Sequence, residues 1–292
     1  MKRIVLFMVC IFLLPAFFAE ASTKEKNVQL LYAAERGNLT DVQDALYGGA
    51  DVNAKDAFGV TALMKASYCG YTNGSYAEVV KLLLDKGADV NKKTDKGTTA
   101  LMMASKGGRA EVVKLLLDKG ADVNVKTEEG KTSLMEASSG GYAEVVKLLL
   151  DKGADVNKKT DEGITALIEA SNGGYTEDEG TAALKTEASS SGYAEVVKLL
   201  LDKGADVNKK TDIGETALMT ASYGGNVEVV KLLLAKGADI NVKNSKGETA
   251  LMIAKDKGKD VMNSKGKTAL KMAKEKGKAE IVGILERAGV KQ

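Results

Sequence analysis

A phrase repeated with a base period of 33 residues constrains this chain more than any other feature of its sequence. The strings AEVVKLLLDKGADVNKKT and AEVVKLLLDKGADVNVKT recur almost letter for letter, and a shorter string close to G-x-T-A-L precedes each of them. Self-similarity of this kind is typical of proteins built from stacked structural units. The leucine of the shorter string marks the register at Leu30, Leu63, Leu101, Leu134, Leu167, Leu184, Leu218, Leu251 and Leu270.

Each unit predicts two short helices separated by glycine-rich turns. Thr99 places a hydroxyl directly before an apolar run, which is a favoured N-cap, so we predict a first helix over Ala100–Lys106. The run Ala110–Lys119 predicts a second helix that is apolar over more than half of its circumference and must therefore be covered on two sides. Gly120 follows at the position where a positive φ commonly ends a helix.

Two helices of this kind cannot bury their apolar faces within one unit, so neighbouring units must stack on one another. The sequence therefore predicts an all-α repeat solenoid of helix-turn-helix units with hairpin-like loops, with about seven complete and two partial repeats. The first unit, near Asn27–Lys55, and the last, near Asn263–Gln292, are rich in charged residues, as the exposed ends of such a stack require.

Four motifs recur in most units: Gly97-x-Thr99-Ala100-Leu101, Val112-Val113, Leu115-Leu116-Leu117 and Gly120-Ala121-Asp122-Val123-Asn124. Together they resemble the ankyrin repeat family over essentially all of residues 27–292. The resemblance implies the predicted solenoid and a concave protein-binding face, formed by the hairpin tips and the first helices. One departure is that the family usually has T-P-L-H where this chain has T-A-L-M. The missing proline and histidine predict somewhat softer repeats of the same fold.

Three places interrupt the period. Five extra residues lie within Tyr68–Tyr76 and lengthen the loop between the two helices of one unit. Near residues 161–192, and again near residues 244–263, the first-helix string is repeated with no second helix between its copies. Two packings are consistent with such a half repeat. Either one copy stacks while the other lies at the surface, or both copies pack and the solenoid bends locally.

The first residues of the chain have the pattern of a secretory signal. Lys2 and Arg3 precede the apolar run Ile4–Leu14, and Ala19 and Ala21 form an A-x-A cleavage pattern. We therefore predict a signal peptide over residues 1–21, a short linker over residues 22–26 and the repeat solenoid over residues 27–292. The alternative is an uncleaved anchor, although the apolar stretch is shorter than the roughly 20 residues that a spanning helix needs.

Residues suited to catalysis or metal binding are scarce. The chain has no histidine and only two cysteines, one of them, Cys10, in the predicted signal. We therefore predict no metal site, no cofactor and no disulfide within the mature chain. The formal net charge of +2 gives no indication of a nucleic-acid partner. A hydrolase or redox enzyme that uses Cys69 as its nucleophile is the remaining catalytic alternative.

A comparison of the units within the chain indicates where a partner would bind. The second helices are nearly identical, whereas the turn residues and the exposed first-helix residues differ from unit to unit. The middle repeats are acidic there, notably at Glu136 and Glu169, which favours a protein partner with a basic patch. The predicted partner-binding residues are Phe58, Val60, Lys65, Tyr68, Lys96, Thr98, Met103, Lys106, Glu129, Lys131, Glu136, Ser139, Glu162, Ile164, Glu169, Asn172, Ile213, Glu215, Thr220 and Tyr223.

Two interpretations of the whole chain remain. The first is a monomeric, non-catalytic protein-protein interaction scaffold that is exported to a periplasm or secreted, with no stable membrane insertion once the signal is cleaved. The second is a membrane-tethered structural spacer that keeps its N-terminal segment as an anchor. The two interpretations share the same repeats and differ in the fate of residues 1–21.

Overall fold

A computed structural model describes residues 23–68, 75–173, 187–259 and 269–290. Within these ranges the backbone is helical apart from the connecting turns, and it holds only isolated backbone bridges in place of strands. The chain divides into two compact units, residues 1–122 and 123–292. The helices are α1 (23–36), α2 (Leu39–Tyr47), α3 (Ala62–Tyr68), α4 (Tyr76–Asp85), α5 (Ala100–Lys106), α6 (Ala110–Asp118), α7 (Ser133–Ser139), α8 (Ala143–Asp151), α9 (Ala166–Ser171), α10 (Glu187–Asp202), α11 (Ala217–Gly224), α12 (Val227–Ala235), α13 (Ala250–Lys259) and α14 (Ala269–Val290).

The helices form two layers in each unit. In the second unit α7, α9, α11 and α13 contact one another in succession as the layer of first helices, and α8, α10, α12 and α14 do the same as the layer of second helices. In the first unit α3 contacts α5, while α2, α4 and α6 form the other layer. This is the all-α repeat solenoid that the sequence predicts. Within the described residues, helix α1 includes residues 23–26, which the sequence predicts as part of the linker.

Threonine hydroxyls start the first helices. Thr99 accepts a hydrogen bond from the backbone N–H of Met102, and α5 spans Ala100–Lys106, as predicted. An N-cap of this kind stabilises a helix by about 1 kcal/mol, which matters for helices of two turns. The same cap begins four helices of the second unit, at Thr132, Thr165, Thr216 and Thr249.

The apolar core lies between the two helix layers. In α8, Val145, Val146 and Leu149 are at most 1% exposed, and Leu150 is 7% exposed. Helix α8 packs against α7, the first helix of its own repeat, and against α10, the second helix of the next, so it is covered on two sides. Burial of each such side chain stabilises the fold by roughly 1.5–3 kcal/mol.

Asparagine side chains join each repeat to the next along the ends of the second helices. Nδ2 of Asn157 donates to the carbonyl of Gly204 at 3.1 Å, and its Oδ1 accepts from the N–H of Asp206 at 2.9 Å. The side chain of Asp155 accepts the N–H of Asn157 at 3.0 Å and so orients this link. These asparagine hydrogen bonds link neighbouring repeats in a chain that contains no histidine. Within the two units the same link recurs at Asn53, Asn91, Asn124 and Asn208.

The loops between repeats are tight turns that lie side by side. In the turn of residues 160–164, Gly163 has a φ of +83°, which favours glycine. A Cβ at Gly163 would also lie only 2.9 Å from the Cα of Thr211 in the next turn. The N–H of Asp212 donates to the carbonyl of Glu162 at 2.9 Å. This hydrogen bond fixes the register between neighbouring turns and places their side chains in rows.

Each of the two irregular repeats contains a second helix that is longer than the second helices of regular repeats. Helix α10 has 16 residues and α14 has 22, against nine in α8. In both cases the first copy of the repeated string forms a stacked first helix, α9 or α13, and the end of the second copy continues directly into the second helix. Neither packing considered above includes this continuation. The remainder of the second copies and the five-residue insertion fall largely on residues 69–74, 174–186 and 260–268, outside the described residues.

Both fused helices lack the first glycine of the regular turn, but this loss is not sufficient for fusion, because Arg36 replaces the same glycine and α1 still ends before α2 begins at Leu39. In a regular repeat, Gly140 and Gly141 end the first helix, α7, and Gly141 has a φ of +69°. Ser191 stands in place of the first glycine at α10, and Lys276 does so at α14. Residues with side chains favour helix continuation over the glycine conformations that end it. Gly192 is retained, and a Cβ there would lie 2.7 Å from the carbonyl oxygen of Gly141 in the preceding repeat.

The asparagine link makes a testable contribution to stability. We expect Asn157→Ala to lower the free energy of unfolding by about 1 kcal/mol, because two hydrogen bonds between repeats are lost. Urea denaturation followed by far-ultraviolet circular dichroism measures the change. Lys147→Ala, on the exposed side of α8, is the control and should change stability by less than about 0.5 kcal/mol. Equal effects of the two substitutions would contradict a role for the link.

Candidate functional site

Three successive repeats of the second unit form a groove between their turns and their first helices. The groove has a volume of about 950 Å³. Residues from the turns near 162, 213 and 246 form one side, and residues from α9, α11 and α13 form the other. The lining residues are Glu162, Ile164, Ile168, Glu169, Asn172, Thr211, Asp212, Ile213, Glu215, Met219, Thr220, Tyr223, Lys246, Glu248 and Ile253.

The repeat places these side chains in rows with different exposure. The residue before each turn glycine is at the tip and is exposed, as for Glu162 and Ile213. The residue after the glycine, such as Ile164, is half-buried and turns toward the first helices. The third row comes from the first helices, where Glu169 and Thr220 occupy equivalent half-buried positions. The hydrogen bonds between turns therefore decide which side chains line the groove.

The structure brings eight of the twenty predicted partner-binding residues together in this groove. None of the twenty is fully buried. The eight that line the groove are Glu162, Ile164, Glu169, Asn172, Ile213, Glu215, Thr220 and Tyr223. Four more belong to the preceding repeat of the same unit: Glu129, Lys131, Glu136 and Ser139. The other eight lie in the first unit: Phe58, Val60, Lys65, Tyr68, Lys96, Thr98, Met103 and Lys106.

In the first unit one of the predicted residues, Lys65, forms two ion pairs. The ammonium of Lys65 is 3.3 Å from a carboxylate oxygen of Glu35 and 3.4 Å from one of Asp56. Burial alone would raise the pKa of Asp56, but the N–H groups of Phe58 and Val60 and the Lys65 ammonium together lower it. The carboxylate thus holds this turn in shape. Phe58, at the tip of this turn, is 76% exposed.

Seven lining residues were not among the predicted set. Ile253, Lys246 and Glu248 occupy positions equivalent to predicted residues, but in the next repeat, so extending the comparison of units by one repeat would have included them. Ile168 and Met219 belong to the apolar pattern that recurs in the first helices of successive repeats, and both are almost fully buried. Their contribution to the groove floor is visible only in the folded structure. The other two are Thr211 and Asp212.

The groove carries more negative than positive charge. Its lining holds five carboxylates and one ammonium group, that of Lys246. Glu248 accepts a hydrogen bond from the side-chain amide of Asn244 at 2.9 Å. Across the part of the chain that the structure describes, Glu162, Asp212 and Glu215 form no ion pair. A binding partner could therefore supply their counter-charges.

Glu169 occupies a half-buried acidic position of the groove. Burial raises the pKa of its carboxyl group, and the carboxylate of Glu136 raises it further. The ammonium of Lys131 and the hydroxyl of Ser139 lower the pKa, but only in part. The charged form of Glu169 is thus disfavoured in the unoccupied groove, and a cation placed beside it would restore the balance.

Metal-binding clusters and membrane-spanning helices are absent from the described residues. Among them, no group of three or more cysteine, aspartate or glutamate side chains is arranged to hold a metal ion. None of the helices in the described ranges has the length and apolar character needed to cross a membrane. The predicted cleavage residues Ala19 and Ala21 and the candidate nucleophile Cys69 lie outside the described residues.

Comparison with known proteins identifies the repeats. A model of the family described as ankyrin repeats (3 copies) matches residues 30–127, 68–160, 124–178 and 185–263. Among solved structures, the chain is similar to the human ASB11 ankyrin repeat domain. The TM-score is 0.63, with 26% sequence identity, over 85% of this chain and 96% of that chain. The search of curated proteins gives no match.

The raised pKa of Glu169 predicts a pH-dependent effect of its replacement. Stability that comes from a raised pKa is present below the ordinary value of 4.5 and is lost as the pH rises through the raised value. We therefore expect Glu169→Gln to increase the free energy of unfolding at pH 7 by on the order of 0.5 kcal/mol, and this gain should shrink as the pH falls toward 4.5.

Urea denaturation at both pH values measures this difference. Glu144→Gln removes the same charge from an exposed position on α8 and serves as the control. A loss of stability for Glu169→Gln at pH 7 would show that the ionised carboxylate is stabilising, contrary to the argument from burial.

Proposed function

Because this chain belongs to the ankyrin repeat family, we propose that it acts as a non-catalytic scaffold that binds a protein partner on the concave face of its stacked repeats. The observation that carries this proposal is the groove of the second unit, whose lining comes from three successive repeats. The buried helix layers hold these side chains in fixed rows, so the surface is formed before a partner arrives. Extended concave surfaces of this kind are what stacked repeats use for binding.

The charge of the groove favours a partner with a basic patch. Glu162, Asp212 and Glu215 lack ion-pair partners among the described residues, and Glu169 is partly dehydrated. Cations that arrive with the partner would pair with these groups, and the attraction would also speed association. The same carboxylates would repel the phosphates of a nucleic acid, so the negative groove argues for a protein.

We further propose that the chain is exported and acts as a monomer. The support for export is the sequence pattern of residues 1–21, with its basic start, apolar run and A-x-A site. The second candidate is a membrane-tethered spacer, which the same apolar run would favour if it were retained. In both cases the groove remains available to a partner.

Reversal of charge at the predicted acidic positions tests the binding face. We expect the double variant Glu136→Lys with Glu169→Lys to bind the partner about tenfold or more weakly, because attraction becomes repulsion. The partner is first captured on the immobilised chain from the exported fraction of the native source, and its association is then measured by surface plasmon resonance at several salt concentrations. Glu144→Lys with Glu195→Lys alters net charge equally on exposed second-helix positions and is the control. Identical affinity for both variants would contradict the proposed face.

The mass of the mature chain tests the two proposed locations. We expect intact-mass measurement of the protein purified from its native source to show an N-terminus at Ser22, since cleavage follows Ala21 in the predicted signal. The quantity measured is the loss of residues 1–21 relative to the full chain. A mass that retains Met1 would instead support the tethered spacer.

A further inference from the structure

We propose that the first unit carries a separate site for a small apolar carboxylate, in a cavity between the ends of α2 and α4. The carboxylate group would pair with the ammonium of Lys86, and the apolar body would pack beside Tyr47. The site lies in the layer of second helices, so this inference does not depend on the groove of the second unit or on its partner.

An ion pair between successive second helices recurs along the chain. Its acid is an aspartate that ends one second helix, and its base is a lysine directly after the next second helix. In the first unit the ammonium of Lys119 lies 2.9 Å from a carboxylate oxygen of Asp85. The second unit has the pairs Lys203 with Asp151 at 3.1 Å and Lys236 with Asp202 at 2.8 Å. The repeat therefore brings a carboxylate to the lysine at this position.

The first step of this row lacks its carboxylate. Tyr47 ends α2 and stands at the position of Asp85, while Lys86 is the equivalent of Lys119. Within the described part of the chain, Lys86 forms no ion pair. Its ammonium lies instead 5.4 Å from the centre of the Tyr47 ring. Contact with a ring face leaves the positive charge in place, so Lys86 can still pair with an anion.

A cavity of about 360 Å³ adjoins this lysine. Its apolar lining comes from Leu46, Val52 and Leu82, together with Tyr47. Leu46 is half-buried, whereas Leu84, at the same position of the next repeat, is only 8% exposed. Small-molecule sites span about 300–1,000 Å³, and this cavity lies at the lower end of that range. Its size therefore suits a small molecule rather than a segment of a protein.

Two polar lining residues are compatible with a bound carboxylate. Gln43 stands where the next second helix has a lysine, and its side-chain amide can donate a hydrogen bond. The carboxylate of Asp51 accepts the backbone N–H two residues later at 2.9 Å. Asp89 is the equivalent of Asp51 and precedes the regular pair of Asp85 and Lys119 in the same way. An aspartate at this position thus coexists with a second carboxylate beside the lysine.

A molecule with one carboxylate and an apolar body satisfies both parts of the site. The carboxylate takes the place of the missing aspartate, and the apolar body covers Leu46 and Leu82. An ion pair at an exposed lysine contributes little by itself, because both groups are well hydrated when they are apart. Burial of apolar surface in the cavity must therefore supply much of the affinity, while the charge supplies selectivity for acids.

Phenyl-substituted acids and alcohols test this selectivity with the full chain. The probe is 4-phenylbutyrate, and its affinity is measured from the amide resonances of the nitrogen-15-labelled protein during titration. We expect it to bind at least about threefold more tightly than 4-phenyl-1-butanol, which lacks the carboxylate. It should bind at least about tenfold more tightly than butyrate, which lacks the ring.

Substitutions at the two central residues locate the binding. Tyr47→Asp supplies Lys86 with the aspartate of a regular repeat, so we expect it to weaken binding of 4-phenylbutyrate by about fivefold or more. Lys86→Gln should abolish the preference for the acid over the alcohol, an effect that a loss of folding would not produce. Tyr47 is 81% exposed, so the far-ultraviolet circular dichroism of Tyr47→Asp should be unchanged. Lys119→Gln breaks a regular pair of the same kind and is the matched control, which should leave affinity and preference unchanged.

The opposite results overturn the inference. Equal affinity for the acid and the alcohol would exclude recognition of a carboxylate, and full affinity in Tyr47→Asp would place the ligand elsewhere. The absence of any binding at millimolar concentration would exclude the site itself. A peptide that ends in phenylalanine with a free carboxylate, and that binds more than about tenfold more tightly than 4-phenylbutyrate, would assign the cavity to a protein terminus instead.

Discussion

Burial of the valine and leucine faces of the second helices against neighbouring repeats is the interaction on which the rest of the structure depends. Val145, Val146 and Leu149 are almost completely excluded from solvent, yet the two helices of one repeat could not exclude them alone. Stability is therefore shared between repeats through nearest-neighbour interfaces. The periodic sequence and the stacked structure are two expressions of this single requirement.

Polar links set the register that apolar contact alone would leave loose. Hydrophobic burial is not directional, so helices packed by valine and leucine could slide or rotate. The asparagine links, such as that from Asn157 to Gly204, fix one edge of the stack, and the bonds between turns, such as that from Asp212 to Glu162, fix the other. With both edges fixed, the side chains between them have defined positions.

The groove is a consequence of this register. Residues that differ between repeats are those that the two layers leave exposed, and in the second unit they bring isoleucines and unpaired carboxylates onto one surface. Dehydration of Glu169 follows from the same packing, since α9 holds it beside Lys131, Glu136 and Ser139 of the preceding repeat. A site of this kind binds by shape and charge, which is the basis of the proposed scaffold function.

The sequence by itself determined the repeat, the two-helix unit, the threonine cap of α5 and the rows of exposed residues, because each depends on local patterns within about one period. It did not predict that the end of each second copy continues into α10 or α14, because the glycine replaced there by Ser191 and Lys276 is also replaced by Arg36, where the two helices stay separate. Only the tertiary structure decided that Ile168 and Met219 join the predicted residues in one groove. That grouping depends on the register between repeats, which hydrogen bonds between residues far apart in the sequence establish.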